Sequence, residues 1–321
     1  GWNAEQFDVA YPKYTARAGV RDDVAKAQSH GIHVMPYTNG QLMDPTLPEW
    51  EDSDASASAC GCWNGTLVVP APPTKNGTQG LVPCGADGKP GYYGEKYGNN
   101  DAFMGTRAFA VMDPATEWWQ RKLGDVAAGV ITSTGADALY MDQIAAAHAR
   151  SCFEAGGGGA GNSWAAGNRA VLRSAAAGAR RAHGGRPVAL SSESMDEQYI
   201  GIVSVNLAIY SWSANSFCSA VPAYQAVYGG YVVNMGDNRF PWQSRAQRED
   251  NDWVAQQRGM LAQQFVNGQA LGWMALEELA HWMHNASFAE DMRLFGDMAR
   301  LRLSAADYLV HGRLWRPPTV A

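Results

Sequence analysis

Short apolar runs alternate with amphipathic segments along most of the chain. We predict a strand where a run of about four to eight apolar residues is bounded by turn-forming residues. We predict a helix where a longer segment rich in helix-forming residues carries start or stop signals, such as a capping aspartate, a proline at the first turn or a terminal glycine. The six predicted strands cover residues 32–38, 137–142, 187–193, 207–212, 231–235 and 270–274. The predicted helices cover residues 21–30, 115–129, 164–183, 251–267 and 288–303. Strands that alternate with helices indicate an α/β fold with a parallel sheet.

The fold class that this alternation favours is α/β, a (β/α)8 TIM-type barrel. Such a barrel closes with eight strands, whereas six are predicted here and a helix precedes the first of them. We therefore expect the first two strands to be missing, so that the run ending at Asp142 is strand four and the run ending at Glu193 is strand five. Residues 1–321 then form one partial catalytic barrel domain, and the aperiodic residues 41–106 form a long irregular insertion at its rim.

Two consecutive strands of this barrel each end on a carboxylate, Asp142 and Glu193. The catalytic groups of such barrels lie at the carboxyl ends of the strands, and glycoside hydrolysis requires two carboxyl groups. Placement on adjacent strands predicts a separation of about 5–5.5 Å, which is the spacing of retaining enzymes. The alternative interpretation is that one or both carboxylates form salt bridges or helix caps at the rim. Glu197, which follows Glu193 by one helical turn, competes for the role of acid.

The composition narrows the class of partner. The 321 residues are 46% hydrophobic, and 31 acidic against 25 basic side chains leave a net charge of −6. Because no basic stripe is present, a nucleic-acid partner is not expected. No run approaches the ~20 apolar residues of a membrane span. The sequence leaves the oligomeric state open.

Five cysteines and three N-glycosylation sequons favour a glycoprotein that is secreted or held in the secretory pathway. The sequons begin at Asn64, Asn76 and Asn285. The first two lie within the insertion, beside Cys60, Cys62 and Cys84. We expect a Cys62–Cys84 or a Cys60–Cys84 disulfide bond, because a loop of this size buries too little surface to hold itself together.

Five segments carry a resemblance to a known class of enzyme. They are Val34–Asn39, Met112–Trp119, Leu139–Gln143, Ser192–Ile200 and Ala226–Gly229. Together they resemble the retaining glycoside hydrolases with (β/α)8 barrels. They look most like a family of glycosidase-like barrels of unassigned function, which is distantly similar to endo-α-N-acetylgalactosaminidases and to the α-amylase group. The resemblance covers nearly the whole chain.

The resemblance implies a nucleophilic aspartate on strand four, here Asp142, and an acid/base glutamate on strand five, here Glu193. Two departures limit it. The α-amylase group carries an arginine two residues before the nucleophile, where this chain has Tyr140, so membership of that group is not expected. Residues 156–161 are nearly all glycine where similar sequences carry a loop that contains histidine, which puts a sugar contact there in doubt.

The remaining polar and aromatic residues at the strand ends are candidates for binding an oligo- or polysaccharide or a glycoconjugate. These candidates are Tyr37, Asn39, Gln143, His148, Glu197, Trp212, Tyr228, Asp237 and Trp273. Two other functions remain open: a non-catalytic carbohydrate-binding barrel, and a metal-dependent hydrolase that uses Asp142, His148 and Asp237. No HxH or HExxH spacing supports the second, so neither a metal nor a cofactor is expected.

Overall fold

The computed structural model describes most of the chain. It describes residues 2–5, 9–51, 53–61, 79–82, 94–98, 106–147, 149–150, 152, 164–194, 196–208, 223–236, 251–272, 280 and 283–312. The chain divides into two compact units, Gly1–Ser191 and Ser192–Ala321. The boundary falls inside a strand, and each unit is described by itself.

The described part of the first unit contains helices, a parallel sheet and an antiparallel sheet. Its helices are α1 (Val20–Ser29), α2 (Ser53–Ala57), α3 (Glu117–Thr134) and α4 (Trp164–Ala182). Its strands are β1 (Tyr37–Asn39), β2 (Leu42–Met43), β3 (Gln79–Val82), β4 (Gly94–Gly98), β5 (Thr106–Val111), β6 (Ala138–Asp142) and β7 (Ala189–Glu193), the last of which continues into the second unit. A short 3-10 helix covers Pro48–Glu51.

The parallel sheet of the first unit has the strand order β1-β6-β7. β1 pairs with β6 so that Tyr37 lies opposite Tyr140 and Asn39 lies opposite Asp142. The helix α3 precedes β6 and α4 precedes β7, as expected of a strand–helix fold. The two helices pack closely because glycines lie where they meet: a Cβ added to Gly178 would be 2.0 Å from the carbonyl oxygen of Gly124.

The first strand is shorter than the predicted 32–38. Regular pairing begins only at Tyr37, because Pro36 has no N–H to donate, although its carbonyl still accepts a hydrogen bond from the N–H of Tyr140 at 2.9 Å. Just upstream, the N–H of Val34 donates instead to the side chain of Asp137 at 3.0 Å. Within residues 2–5 and 9–36, helix α1 is the only regular helix or strand. That the first two strands of a barrel are missing stays a prediction.

The insertion is more ordered than predicted. Residues 41–106 were expected to be irregular, but their described part contributes most of a four-stranded antiparallel sheet in the order β2-β5-β4-β3. β2 pairs with β5, with Leu42 opposite Val111. The strands are only two to six residues long, so no single window shows a regular alternation. The pairing of β2 with β5 also joins segments that are far apart in the sequence.

The disulfide bond also differs from the expectation. Cys60 is bonded to Cys152, 92 residues further along the chain, so the predicted Cys60–Cys84 bond is wrong. Both sulfurs lie in a buried cluster with Tyr11, Phe109 and Trp164. The segment after β6 folds back against the insertion, which brings together two cysteines that are distant in sequence. The other predicted bond, Cys62–Cys84, lies outside the described residues.

The second unit begins with the end of β7 and continues with two further parallel strands. They are β8 (Val205–Ala208) and β9 (Val233–Gly236), in the sheet order β7-β8-β9. The helices are α5 (Ala223–Tyr228), α6 (Asn251–Val266), α7 (Ala289–Ser304) and α8 (Ala306–Leu309), with 3-10 helices at Glu197–Tyr199 and Ala286–Phe288. The predicted sixth strand, 270–274, is represented by a parallel bridge between Ala270 and Met235.

These elements confirm the mixed α/β class and the parallel sheet. Closure into an eight-stranded barrel stays a prediction. None of the described helices combines the length and the apolar character that crossing a bilayer demands.

Candidate active site

Asp142 is the last residue of β6, and the local sequence directs its side chain away from the apolar core. In Ala138–Asp142, Leu139 and Met141 are buried, whereas Tyr140 and Asp142 are half-buried. Side chains two apart on a strand point to the same face. Tyr140 and Asp142 therefore share a face, and the carboxylate lies at the carboxyl end of a parallel strand.

Two tyrosines donate hydrogen bonds to the carboxylate of Asp142. The hydroxyl of Tyr37 donates to Oδ2 at 2.8 Å, and that of Tyr140 donates to Oδ1 at 3.4 Å. The first is a short bond to a charged acceptor and the second is long and weak. The two rings stack with their centroids 5.7 Å apart, because β1 and β6 place them opposite each other. Donors on the carboxylate favour its ionised form, as a nucleophile requires.

A third tyrosine lies behind the first. The hydroxyls of Tyr11 and Tyr37 are 3.1 Å apart, and Tyr11 is only 2% exposed. Burial raises the pKa of the Tyr37 phenol far above its usual value, and the negative charge of Asp142 raises it further. Both causes favour the protonated phenol, so Tyr37 is a hydrogen-bond donor at neutral pH.

Asn39 shapes the turn that follows β1. Its side-chain oxygen accepts hydrogen bonds from the N–H groups of Gln41 at 2.9 Å and Leu42 at 2.8 Å. Its amide nitrogen donates to Oε1 of Gln143 at 2.9 Å. Asparagine is favoured in turns because its short side chain can bond to nearby backbone in this way. Through these bonds the buried Asn39 connects the end of β1 to the residue that follows β6.

The two strand ends also meet through their backbones. The N–H of Gly40 donates to the carbonyl of Asp142 at 3.0 Å. A Cβ on Gly40 would lie 2.6 Å from the side chain of Ile144 and 3.1 Å from that carbonyl oxygen. Any larger residue would have to displace the buried side chain of Ile144 and would crowd that carbonyl. Gln143, directly after Asp142, has a φ of 64°, a left-handed conformation that is uncommon for residues other than glycine.

Glu193 shows the same backbone feature in the second unit. It is the half-buried last residue of β7, and Ser194 after it also has a φ of 64°. The N–H of Ser194 donates to the carbonyl of Leu207 on β8 at 2.8 Å. Residues other than glycine that hold such conformations cluster at active and ligand-binding sites. Both predicted catalytic carboxylates are thus followed by a left-handed residue at the carboxyl end of a parallel strand.

Glu197, four residues after Glu193, begins a 3-10 helix and accepts a hydrogen bond from a tyrosine. The hydroxyl of Tyr228 donates to Oε2 of Glu197 at 2.9 Å, and this bond is the main cause of the raised pKa of the Tyr228 phenol. The ring of Tyr228 contacts that of Tyr224, with centroids 4.9 Å apart. Two residues predicted to bind sugar therefore interact directly in the second unit.

The structure brings predicted residues into contact within each unit. In the first unit, Tyr37 donates to Asp142 and Asn39 donates to Gln143. In the second unit, which begins at Ser192 and so contains Glu193, Tyr228 donates to Glu197. The separation of Asp142 and Glu193 stays a prediction. Four other candidates lie outside the described residues: His148, Trp212, Asp237 and Trp273.

Sequence reasoning did not include Tyr140 and Tyr11 among the candidate residues. The signal for Tyr140 was its spacing of two from Asp142 on one strand, which puts both on one face. No local signal marks Tyr11, which reaches Tyr37 only through the fold. Within the described ranges, no three His, Cys, Asp or Glu side chains come together as the ligands of a metal ion would.

Comparison with known proteins gives the geometry a context. Residues 92–240 match a family described as a domain of unknown function, DUF6259. A Monosiga brevicollis protein named "Putative glycoside hydrolase 22789" is 26% identical over an alignment of 345 positions, gaps included. The alignment covers 98% of this chain and 25% of that protein. A Bacteroides thetaiotaomicron protein named "Putative glycoside hydrolase" is 24% identical over 245 residues, covering 75% of this chain and 31% of that protein. The chain is distantly similar to glycoside hydrolases.

Solved structures show the same relationship at the level of the fold. The ligand-free α-N-acetylgalactosaminidase NagBb from Bifidobacterium bifidum matches with a TM-score of 0.53 at 13% identity, covering 97% of this chain and 42% of that one. A quadruple mutant of NagBb matches with a TM-score of 0.55 at 14% identity, covering 97% and 41%. The chain therefore shares its fold with part of a glycosidase, and it spans about a quarter to a third of the length of its curated relatives.

Proposed function

We propose that the chain is a retaining glycoside hydrolase in which Asp142 is the nucleophile and Glu193 is the acid/base. The observation that carries this proposal is the Asp142 carboxylate, which ends a parallel strand and accepts a 2.8 Å hydrogen bond from Tyr37. The names of the two relatives and the fold shared with NagBb support the same class of enzyme.

The proposed reaction has two steps. An oxygen of Asp142 attacks the anomeric carbon, the glycosidic C–O bond breaks, and the leaving oxygen takes the proton of Glu193. A water molecule then attacks the anomeric carbon and gives a proton to Glu193, and the bond from Asp142 to the sugar breaks. The free carboxylate and the protonated acid are restored, and the product keeps the configuration of the substrate.

The substrate class is an oligo- or polysaccharide or a glycoconjugate. The sequence-based candidates for contact with it are Tyr37, Asn39, Gln143, His148, Glu197, Trp212, Tyr228, Asp237 and Trp273. Because NagBb is an α-N-acetylgalactosaminidase, an aryl α-N-acetylgalactosaminide is the first substrate to test, followed by other aryl α- and β-glycosides.

The decisive experiment combines substitution with chemical rescue. Asp142→Gly should abolish turnover, and azide should restore it by forming a glycosyl azide whose configuration is inverted relative to the substrate. Glu193→Ala should spare substrates with good leaving groups, since these need no proton from the enzyme. Asp125→Ala, which removes an exposed acid on α3, is the matched control and should leave the rate unchanged.

Three results would contradict the proposal: full activity in Asp142→Gly, full activity in Glu193→Ala towards substrates with poor leaving groups, or no azide product. A protein that binds oligosaccharides and cleaves none of the aryl glycosides would support the alternative, a non-catalytic carbohydrate-binding barrel.

A further inference from the structure

Tyr11, Tyr37 and Asp142 form a chain of hydrogen bonds with one direction. A carboxylate only accepts, so the 2.8 Å contact uses the hydroxyl proton of Tyr37. The contact of 3.1 Å between Tyr37 and Tyr11 must then use the proton of Tyr11. The hydroxyl of Tyr11 donates to Tyr37, and that of Tyr37 donates to Asp142.

These hydrogen bonds and the neighbouring rings fix the position of the Tyr37 side chain. Its oxygen is both donor and acceptor in the chain, its ring stacks on Tyr140, and Tyr11 behind it packs against Phe109 with ring centroids 5.4 Å apart. Since burial favours the protonated form of Tyr37, its hydroxyl can donate a hydrogen bond to Asp142 throughout a catalytic cycle. Hydrogen bonds in a row also polarise and strengthen one another.

The charge on Asp142 changes during the proposed reaction, and this decides which step a donor helps. The carboxylate loses its negative charge when it bonds to the sugar and regains it when the sugar departs. A hydrogen-bond donor to Asp142 stabilises the free carboxylate. It therefore favours departure of the sugar from Asp142 more than attack of Asp142 on the sugar.

We propose that Tyr37, supported by Tyr11, is a positioning residue for Asp142 that serves the second half of the reaction, in which the glycosyl group leaves the enzyme. This inference rests on the proposed function. It differs from the sequence-based prediction for Tyr37, which was a contact with the hydroxyl groups of the sugar. Tyr140 acts in the same sense with a smaller effect, because its bond to Asp142 is longer.

The test is the kinetics of Tyr37→Phe with an activated dinitrophenyl glycoside, whose good leaving group makes the first step fast. Losing a hydrogen bond to a charged group slows release of the sugar by about 10- to 100-fold. The intermediate then accumulates, so kcat and KM fall together and kcat/KM changes by less than about 3-fold. Mass spectrometry of the intact variant should detect protein carrying one covalently bound glycosyl group.

Matched variants separate this role from a structural one. Tyr140→Phe and Tyr11→Phe should change kcat and KM in the same direction by smaller factors. Tyr231→Phe removes the hydroxyl of a tyrosine that is 75% exposed and should leave both constants unchanged. Melting temperatures of all four variants identify any loss of folding, and the Tyr140 and Tyr11 variants keep the test decisive if Tyr37→Phe does not fold.

The outcomes distinguish two kinds of failure. If Tyr37→Phe raises KM and leaves kcat unchanged, Tyr37 binds the sugar and the inference is overturned while the proposed function stands. The inference is equally overturned if both constants stay within about 2-fold of the native values. If azide does not rescue Asp142→Gly, Asp142 is not the nucleophile, and both the proposed function and the inference fail.

Discussion

The contact between α3 and α4 predicts opposite effects for two Gly→Ala substitutions. A Cβ on Gly178 would lie 2.0 Å from the carbonyl oxygen of Gly124. Cβ contacts under 3.0 Å essentially never occur, so the helices would have to separate by about 1 Å. Overpacking of this kind costs about 1–3 kcal/mol or more, and a contact with rigid backbone belongs at the upper end. The higher helix propensity of alanine returns about 1 kcal/mol. Gly178→Ala should therefore lower the free energy of unfolding by about 2 kcal/mol.

Gly129 is the matched control on α3. It is exposed, and a Cβ added there meets nothing within 4 Å. Gly129→Ala should therefore gain the helix propensity alone, which raises the free energy of unfolding by about 0.5–1 kcal/mol. At roughly 2–4 °C per kcal/mol for a unit of this size, calorimetry should find Gly178→Ala melting about 4–8 °C below the native protein and Gly129→Ala about 1–4 °C above it. The reasoning is refuted if Gly178→Ala melts at or above the native temperature, or if Gly129→Ala melts below it.

Two further predictions concern bonds that hold the first unit together. Cys152→Ser should lower the free energy of unfolding by about 2–4 kcal/mol, since the disulfide bond to Cys60 closes a long loop. Denaturant unfolding with and without a thiol reductant checks this. Equal stability of the variant and the native protein under oxidising conditions would contradict it. Partial burial by itself raises the pKa of Asp137, but hydrogen bonds from the His33 ring and from the N–H of Val34 outweigh it and lower that pKa. The stability contributed by Asp137 should therefore be present above its unfolded pKa and lost as the pH falls through its lower folded pKa. The melting temperature of Asp137→Asn should lie below that of the native protein at pH 7 and converge with it in acid, whereas a constant difference would count against the assignment.

The sequence by itself determined the elements whose signal is local. The apolar run of Leu139 and Met141 predicted β6 and the position of Asp142 at its end, and the same reasoning located Glu193. Local signals also located two helices: Asp113 and Pro114 marked the start of α3, and α4 is rich in alanine and arginine. The predicted 115–129 nevertheless ended short of the observed Glu117–Thr134. These predictions succeed because a strand or helix is largely specified by neighbouring residues.

Only the tertiary structure decided how distant segments pair. Cys60 bonds to Cys152, and Tyr11 reaches Asp142 through Tyr37 across more than 100 residues of chain. The antiparallel sheet of the insertion likewise joins Leu42 to Val111. Such contacts depend on which buried faces meet when the chain folds. No local pattern encodes this choice, because many pairings of similar apolar segments satisfy the same sequence and only close packing of the whole unit selects one.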